Sequence, residues 1–337
     1  MQAAVLNGHG GNEVVAVSER PRPQRRPGEI LVRMKAATVN RVDLYMRDSG
    51  AGISHRLPQI MGVDGAGVVE EADSGALIGR RVTLYPGIVC GRCEFCERSE
   101  PVLCAKMSLL GEHRDGTMAE FVCVPAENGL SISDNLDFAQ AAALGVNYLT
   151  AWRMLFTKAK LQQGETVLVF GVGGGVSLAA LQIAKAAGAR VLVTSRSAEK
   201  LGRAASLGAD ATIIAPPNAI AQEIMRLTEG RGVDVVIENI GGAIWNAALK
   251  VPRPRGPNSD MRRDHRRSAA SRPAPRLYTA VTDLWIDPRQ SRRTRGAAHM
   301  VRARAPCPSN RRALPARQGS RSSFASGVGH AVRENSG

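Results

Sequence analysis

Short alternating runs of apolar residues, separated by Gly, Pro and Asp clusters, occupy the first 125 residues of the chain. Runs of this length and period are typical of β-strands that bury one face. The pattern predicts strands at residues 1–6, 29–36, 67–70, 81–84 and 119–124. The first part of the chain is therefore predicted to be all-β.

The apolar period changes near residue 138. Helical spacing is predicted first, at residues 137–144 and 149–155, and strands and helices then alternate. The predicted strands are 166–170, 190–195, 211–214 and 233–238, and the predicted intervening helices are 176–187, 198–207 and 219–228. Alternation of short β-rich runs with helices indicates an α/β unit with a doubly wound parallel sheet.

The amino-acid composition also changes after residue 250, where the chain becomes rich in Arg. Residues 1–250 carry 26 basic and 25 acidic side chains, whereas residues 251–337 carry 19 Arg, no Lys and 5 acidic residues. A segment rich in Arg, Pro and Ser cannot bury enough apolar surface to offset the entropy lost on ordering. The predicted domains are therefore residues 1–130, residues 131–250 and a low-order basic tail, 251–337.

One alternative for the tail is a nucleic-acid-binding arm. It lacks the lysines and the interleaved aromatic residues that such arms use, so no specific nucleic-acid partner is predicted. No membrane partner is predicted either, because the longest uncharged stretch contains four glycines and is interpreted as strand, turn and helix. The opening residues show no basic and apolar leader, which favours a cytoplasmic location.

A glycine-rich turn lies between the predicted strand 166–170 and the helix that follows. It contains Gly171, Gly173, Gly174 and Gly175, followed by Val176. Glycines at a strand-to-helix turn let the backbone approach a pyrophosphate, and the helix N-terminus favours its charge. The alternative is a turn that only packs the helix on the sheet. The strand–turn–helix context favours a dinucleotide site.

The end of the next strand bears on the choice of nucleotide. An NAD site usually has an acidic residue here for the ribose 2′-hydroxyl, whereas an Arg accommodates a 2′-phosphate. The chain has Ser195 and Arg196, with Lys200 one helical turn later. These residues predict NADPH over NADH; the alternative for Arg196 is an ordinary solvated side chain.

Four cysteines are crowded into the segment 87–106, within the first domain. Cys90, Cys93, Cys96 and Cys104 follow the spacing C-x2-C-x2-C-x7-C. Four thiolates complete a tetrahedral zinc shell and leave no open position for chemistry. The spacing therefore predicts one structural zinc ion per chain rather than disulfide bonds.

The order of several motifs resembles that of the medium-chain dehydrogenase/reductase superfamily, which contains zinc alcohol dehydrogenases and quinone oxidoreductases. Besides the cysteine lobe and the glycine turn, the resemblance rests on PGEILVRMKAATVNRVDLYMR, PQIMGVDGAGVV, DGTMAEFVCVP, AAALGVNYLTAW and GRGVDVVIENIGG. It covers residues 1 to about 250. It implies a GroES-like β domain, a Rossmann domain that is incomplete after its fourth strand, an active site between them, and a homodimer or homotetramer.

Departures from the family pattern bear on the chemistry. Asn40 stands where the alcohol dehydrogenases have a zinc-ligating Cys, and Val63 stands where they have a ligating His. The segment from Asn40 resembles the N-x-x-D-x-Y-x-R loop of quinone oxidoreductases, which use no catalytic metal. The resemblance implies that Asn40 and Tyr45 orient the acceptor oxygen or supply a proton. Asp43 and Asp64 are expected to brace the loop.

The predicted activity is hydride transfer from NADPH to a quinone or conjugated carbonyl, without catalytic zinc. The alternatives are a zinc-dependent alcohol dehydrogenase and an inactive, truncated family member. The tail supports the second alternative. Three of its stretches can be encoded by synonymous codons that, when read one base later, translate into sequences resembling the family's C-terminal strands and closing helix. We therefore hypothesise that residues from about 251 onward are a frameshift product.

Overall fold

The computed structural model of the chain describes residues 1–50, 55–241 and 244–252. The Arg-rich segment from residue 253 onward lies outside these residues, and so does the frameshift hypothesis that concerns it. No helix within the three ranges is both long enough and apolar enough to cross a lipid bilayer.

Antiparallel pairing organises the described residues up to Ser131. The strands are β1 (Gln2–Leu6), β2 (Val15–Glu19), β3 (Glu29–Thr38), β4 (Gln59–Ile60), β5 (Asp64–Glu71), β6 (Arg81–Leu84), β7 (Gly87–Ile88), β8 (Ser108–Leu109), β9 (Phe121–Pro125) and β10 (Gly129–Ser131). They form sheets of order β2-β1-β4 and β10-β6-β5-β3-β9, and the pair β7-β8. The predicted strands are present, with boundaries that differ by a few residues.

The five-stranded sheet buries one face because its apolar residues alternate along each strand. Strand β9, for example, alternates between half-buried and buried positions. The buried side chains form one cluster that includes Ile30, Val32, Val69, Val82, Leu84, Leu110, Val122 and Val124. This cluster fixes the position of β5, whose first residue, Asp64, belongs to the candidate site.

The helices are α1 (Arg41–Asp48), α2 (Glu94–Glu97), α3 (Phe138–Ala142), α4 (Val146–Trp152), α5 (Gly175–Ala186), α6 (Ala198–Ser206), α7 (Pro217–Leu227) and α8 (Trp245–Ala248). Short 3-10 turns lie at Asn12–Val14, Gly75–Leu77, Pro101–Leu103 and Ala126–Asn128, and a π-helical turn, Arg153–Lys158, extends α4.

Helix α1 corrects the prediction that the first 125 residues are all-β with a loop after residue 40. The backbone N–H of Asn40 donates a hydrogen bond of 2.7 Å to Oδ2 of Asp43, three residues into the turn. A carboxylate at this position satisfies a donor that the helix start would otherwise leave open. The Asn-x-x-Asp spacing was the sequence signal for this helix.

The second sheet is parallel and lies in the described residues after Lys160. Its strands are β11 (Thr166–Val169), β12 (Arg190–Thr194), β13 (Ala211–Ile213) and β14 (Val235–Ile237), in the order β13-β12-β11-β14. Every residue of β11 is buried, as expected of a central parallel strand covered on both faces by helices. The doubly wound α/β architecture is confirmed.

Residues 251 and 252 pair with Val233, which lies two residues before β14. The N–H of Val233 donates a hydrogen bond of 2.9 Å to the carbonyl of Val251, and Val233 forms a parallel bridge with Pro252. The Val251 side chain is fully buried in the cluster that contains Leu168 and Phe170. Composition assigned residues 251 and 252 to the tail, but both lie against the sheet.

Gly67 is predicted to be essential to the β3–β5 pairing. A Cβ atom on Gly67 would lie 2.2 Å from the carbonyl oxygen of Arg33, which is backbone and cannot move without disturbing the sheet. We expect Gly67→Ala to lower the free energy of unfolding by about 1–3 kcal/mol. The matched control is Gly75→Ala, because a Cβ on Gly75 meets no atom within 4 Å. Denaturant unfolding measures both, and equal losses would contradict the prediction.

Candidate active site and zinc lobe

The four predicted cysteine ligands converge in a lobe between β7 and β8. The Sγ atom of Cys96 lies 4.0 Å from that of Cys90 and 3.5 Å from that of Cys93, and Cys104 Sγ lies 3.6 Å from Cys90 Sγ. Four thiolates at about 2.3 Å from a tetrahedral zinc ion are about 3.8 Å apart. The cluster therefore has the size and donor set that fit zinc.

Local backbone geometry brings these thiols together. Gly91 has a φ of 70°, which lets the chain turn tightly between Cys90 and Cys93. The backbone N–H of Arg92 lowers the pKa of the Cys90 thiol, whereas burial raises the pKa of Cys96. Within the described ranges, no other group of three or more His, Cys, Asp or Glu residues is close enough to hold a metal ion.

The predicted dinucleotide turn connects β11 to α5. Gly171 and Gly173 have φ angles of 61° and 122°, a region that side chains other than glycine rarely adopt. The N–H of Gly171 donates to Thr194 Oγ1 at 3.2 Å, which ties the turn to the end of β12. Gly174, Gly175 and Val176 lie at the start of α5, whose first N–H groups have no acceptor within the helix. This arrangement suits a phosphate.

The three predicted nucleotide-selecting residues surround the end of β12. Ser195 is half-buried, and Arg196 and Lys200 are exposed. The Lys200 side chain lies across the glycine turn, because a Cβ on Gly173 would be 2.6 Å from Lys200 Cδ. Among the described residues, no carboxylate pairs with Arg196 or Lys200, so both positive charges are open to an anion.

Asp64 is the centre of a hydrogen-bonded group that we call the polar junction, formed by Thr38, Asn40, Asp64, Val146 and Asn147. The Val146 N–H donates to both carboxylate oxygens of Asp64, at 2.9 and 3.0 Å. Nδ2 of Asn40 donates to Asp64 Oδ2 at 3.0 Å. Asp64 is fully buried, and burial raises its pKa to about 7. The brace predicted for Asp64 therefore joins β5 to α4.

The side-chain amide of Asn40 forms hydrogen bonds within the protein at both its nitrogen and its oxygen. Besides its bond to Asp64, Nδ2 donates to Thr38 Oγ1 at 3.2 Å, and Oδ1 accepts from Asn147 Nδ2 at 2.9 Å. Both N–H groups of this amide are therefore used within the protein, and Asn40 is only 6% exposed, so little of its side chain is open to a substrate. The predicted catalytic role of Asn40 stays a prediction, and the structure shows that Asn40 positions its neighbours.

Neither position of the two expected metal ligands offers a suitable donor. Asn40 presents an engaged amide, and Val63, which is 2% exposed, packs against Val42, Tyr85, Leu109, Val146 and Leu149. A catalytic zinc needs three protein ligands and one open position. The residues of this centre therefore do not fit a catalytic zinc ion.

Tyr45, the second predicted catalytic residue, lies on α1 and is half-buried. Its hydroxyl oxygen accepts a hydrogen bond of 3.3 Å from Nε of Arg41, whose guanidinium lies 5.5 Å from the centre of the ring. The hydroxyl keeps its own proton for a further partner. Its predicted role in proton supply stays a prediction.

Sequence reasoning missed Glu112, a fully buried acid whose two carboxylate oxygens accept no hydrogen bond. Burial raises the pKa of Glu112 to about 8, and the negative charge of Asp43 adds to this effect. The neighbouring His113 is half-buried, and its Nδ1 accepts a hydrogen bond of 3.2 Å from the Leu109 N–H. A single Glu in a polar turn gives no periodic signal, so its burial was not predictable.

The cysteine lobe generates a prediction about metal content. We expect Cys104→Ser to lose zinc and to melt several degrees lower, because three thiolates no longer complete the shell. Cys123→Ser is the matched control, since Cys123 is a free cysteine outside the cluster. Elemental analysis and thermal unfolding of both variants provide the measurement. Unchanged zinc content in Cys104→Ser would show that the cluster is not the metal site.

Glu112 generates a prediction about pH. Its pKa rises from 4.5 to about 8 on folding, so the folded protein holds a proton that the unfolded chain releases between these values. Stability should therefore fall as the pH rises from about 5 to about 8.5, and Glu112→Gln should remove this part of the loss. The exposed Glu127→Gln is the control. Parallel pH profiles for the parent and Glu112→Gln would contradict the assignment.

Comparison with known proteins places this geometry in a family. Residues 26–134 match the alcohol dehydrogenase GroES-like domain, and residues 175–257 match the zinc-binding dehydrogenase family. These matches confirm the predicted GroES-like and Rossmann-type architecture.

The proteins similar to this chain include alcohol dehydrogenases and a quinone oxidoreductase. An alcohol dehydrogenase of Geobacillus stearothermophilus is 33% identical over 76% of each chain. A quinone oxidoreductase of Pseudomonas aeruginosa is 31% identical, over 74% of this chain and 69% of its own. A crystal structure of an NAD-dependent alcohol dehydrogenase superposes with a TM-score of 0.72 at 41% identity, over 75% of both chains. Other curated relatives are matched over 63% to 66% of their length. The chain belongs to the medium-chain dehydrogenase/reductase superfamily, within its zinc-type, alcohol dehydrogenase-like oxidoreductases.

Proposed function

We propose that the protein transfers hydride from NADPH to a quinone or a conjugated carbonyl compound, without a catalytic metal. The observation that carries this proposal is the polar junction, in which Asn40 forms hydrogen bonds with both Asp64 and Asn147. Val63, at the expected position of a ligating His, adds an apolar side chain to the same region. The name of the Pseudomonas aeruginosa relative supports the choice of acceptor.

The cofactor proposal rests on charge. Arg196 and Lys200 present two cations at the end of β12, where a 2′-phosphate on the adenosine ribose would lie. The related NAD-dependent alcohol dehydrogenase shows that the family also uses NAD, so this selectivity is a property we assign to this chain's own residues. A zinc ion held by Cys90, Cys93, Cys96 and Cys104 stabilises the lobe and takes no part in hydride transfer.

The reaction divides between cofactor and protein. NADPH supplies two electrons as hydride, and reduction of a quinone or enone then requires one proton. Tyr45 is the proposed donor to the acceptor oxygen, because its hydroxyl hydrogen is not used by Arg41. Asn40 holds α1, and so Tyr45, against Asp64 and Asn147. The cytoplasmic location and the homodimer or homotetramer remain predictions.

The test of the cofactor proposal is a charge reversal at Arg196. We expect the parent to bind NADPH more tightly than NADH, and Arg196→Asp to weaken NADPH at least tenfold while changing NADH little. The reason is the loss of one charge-assisted contact with the 2′-phosphate, worth about 1.5–3 kcal/mol. Titration of zinc-loaded protein by nucleotide fluorescence gives both dissociation constants.

Arg203→Asp is the matched control, since Arg203 is an exposed cation near the end of the same helix, α6. It should leave both nucleotide affinities near those of the parent. Equal affinity of the parent for NADPH and NADH, or no binding of either, would count against the proposal.

A further inference from the structure

The Asp64 carboxylate determines which way the side-chain amides of the polar junction face. The Asp64 carboxylate accepts from Asn40 Nδ2, so the carbonyl oxygen of that amide must face away from Asp64. Asn40 Oδ1 in turn accepts from Asn147 Nδ2. If either amide were turned over, two oxygens or two N–H groups would face each other. The buried carboxylate therefore fixes the orientation of Asn147.

This orientation leaves one acceptor without a partner. Oδ1 of Asn147 accepts no hydrogen bond from any described residue, and Asn147 is only half-buried. The amide packs directly on the dinucleotide turn, because a Cβ on Gly175 would lie 2.4 Å from Asn147 Nδ2 and 2.5 Å from Oδ1. A partly open acceptor therefore lies beside the first residue of α5.

Asn147 Oδ1 lies where the nicotinamide half of a bound dinucleotide, rather than the adenosine half, would pass. The adenosine half extends from the turn toward β12, where Ser195 and Arg196 lie, and the nicotinamide half extends in the opposite direction across the sheet. Asn147 contacts the turn at Gly175 and α1 at Asn40, so it lies where the two parts of the chain meet. The nicotinamide half must pass through this region to reach a substrate held between them.

We propose that Asn147 Oδ1 accepts a hydrogen bond from the carboxamide N–H of the bound nicotinamide and so orients the ring. The inference rests on the proposed nucleotide function and adds a residue that the motifs did not identify. The acceptor lacks a donor of its own within the described residues, and the carboxamide is a donor that the adenosine half cannot supply at this position.

The experiment compares three probes on zinc-loaded full-length protein: NADPH, 2′,5′-ADP, and the 3-acetylpyridine analogue of NADPH, whose methyl ketone has no N–H. We expect Asn147→Leu, which keeps the side-chain shape, to weaken NADPH roughly five- to tenfold. It should leave 2′,5′-ADP unchanged, which also shows that the dinucleotide turn is intact. Asn135→Leu, at an exposed position, is the matched control and should change neither.

Comparing NADPH with the 3-acetylpyridine analogue tests the inference on the parent protein, without any substitution. The parent should bind the 3-acetylpyridine analogue several-fold more weakly than NADPH, and Asn147→Leu should bind the two equally. If Asn147→Leu binds NADPH like the parent, or weakens NADPH and 2′,5′-ADP equally, the inference is wrong. If the parent does not bind 2′,5′-ADP, the proposed nucleotide function itself fails, which is a separate outcome.

Discussion

The hydrogen bonds to the buried carboxylate of Asp64 are the interaction on which the rest of the site depends. Its oxygens accept from the backbone of Val146 and from the amide of Asn40, and these bonds join β5, α1 and α4. A buried carboxylate without such donors would be strongly destabilising. Gly145 is required beside it, because a Cβ there would lie 2.0 Å from Asp64 Oδ1.

The junction also separates the two chemical roles of the molecule. The cysteine lobe gathers four soft thiol donors in one closed shell, which suits a metal that holds structure. The centre next to the glycine turn holds amides, a carboxylate and an apolar Val63 instead. The residues proposed to bind zinc and the residues proposed to bind the nucleotide are thus different groups in this chain, and our proposal assigns the redox chemistry to the second.

The features that sequence analysis predicted are those whose cause is local. Gly171 and Gly173 were recognisable because a strand-to-helix turn requires their positive φ angles, and the cysteines because their spacing alone encodes a shell. Asn147 and Glu112 were missed because their significance arises only when distant segments meet. Asn147 contacts a residue 107 positions away. The seating of Val251 against the sheet depends likewise on tertiary packing, which composition does not encode.

We propose that this centre reduces its substrate without a metal ion of its own. The most direct measurement is NADPH-dependent reduction of a simple quinone by purified protein, with metal content determined on the same sample. We expect turnover by protein that holds one zinc ion per chain in the cysteine lobe. A second, tightly held metal ion whose removal alone abolishes turnover would contradict it.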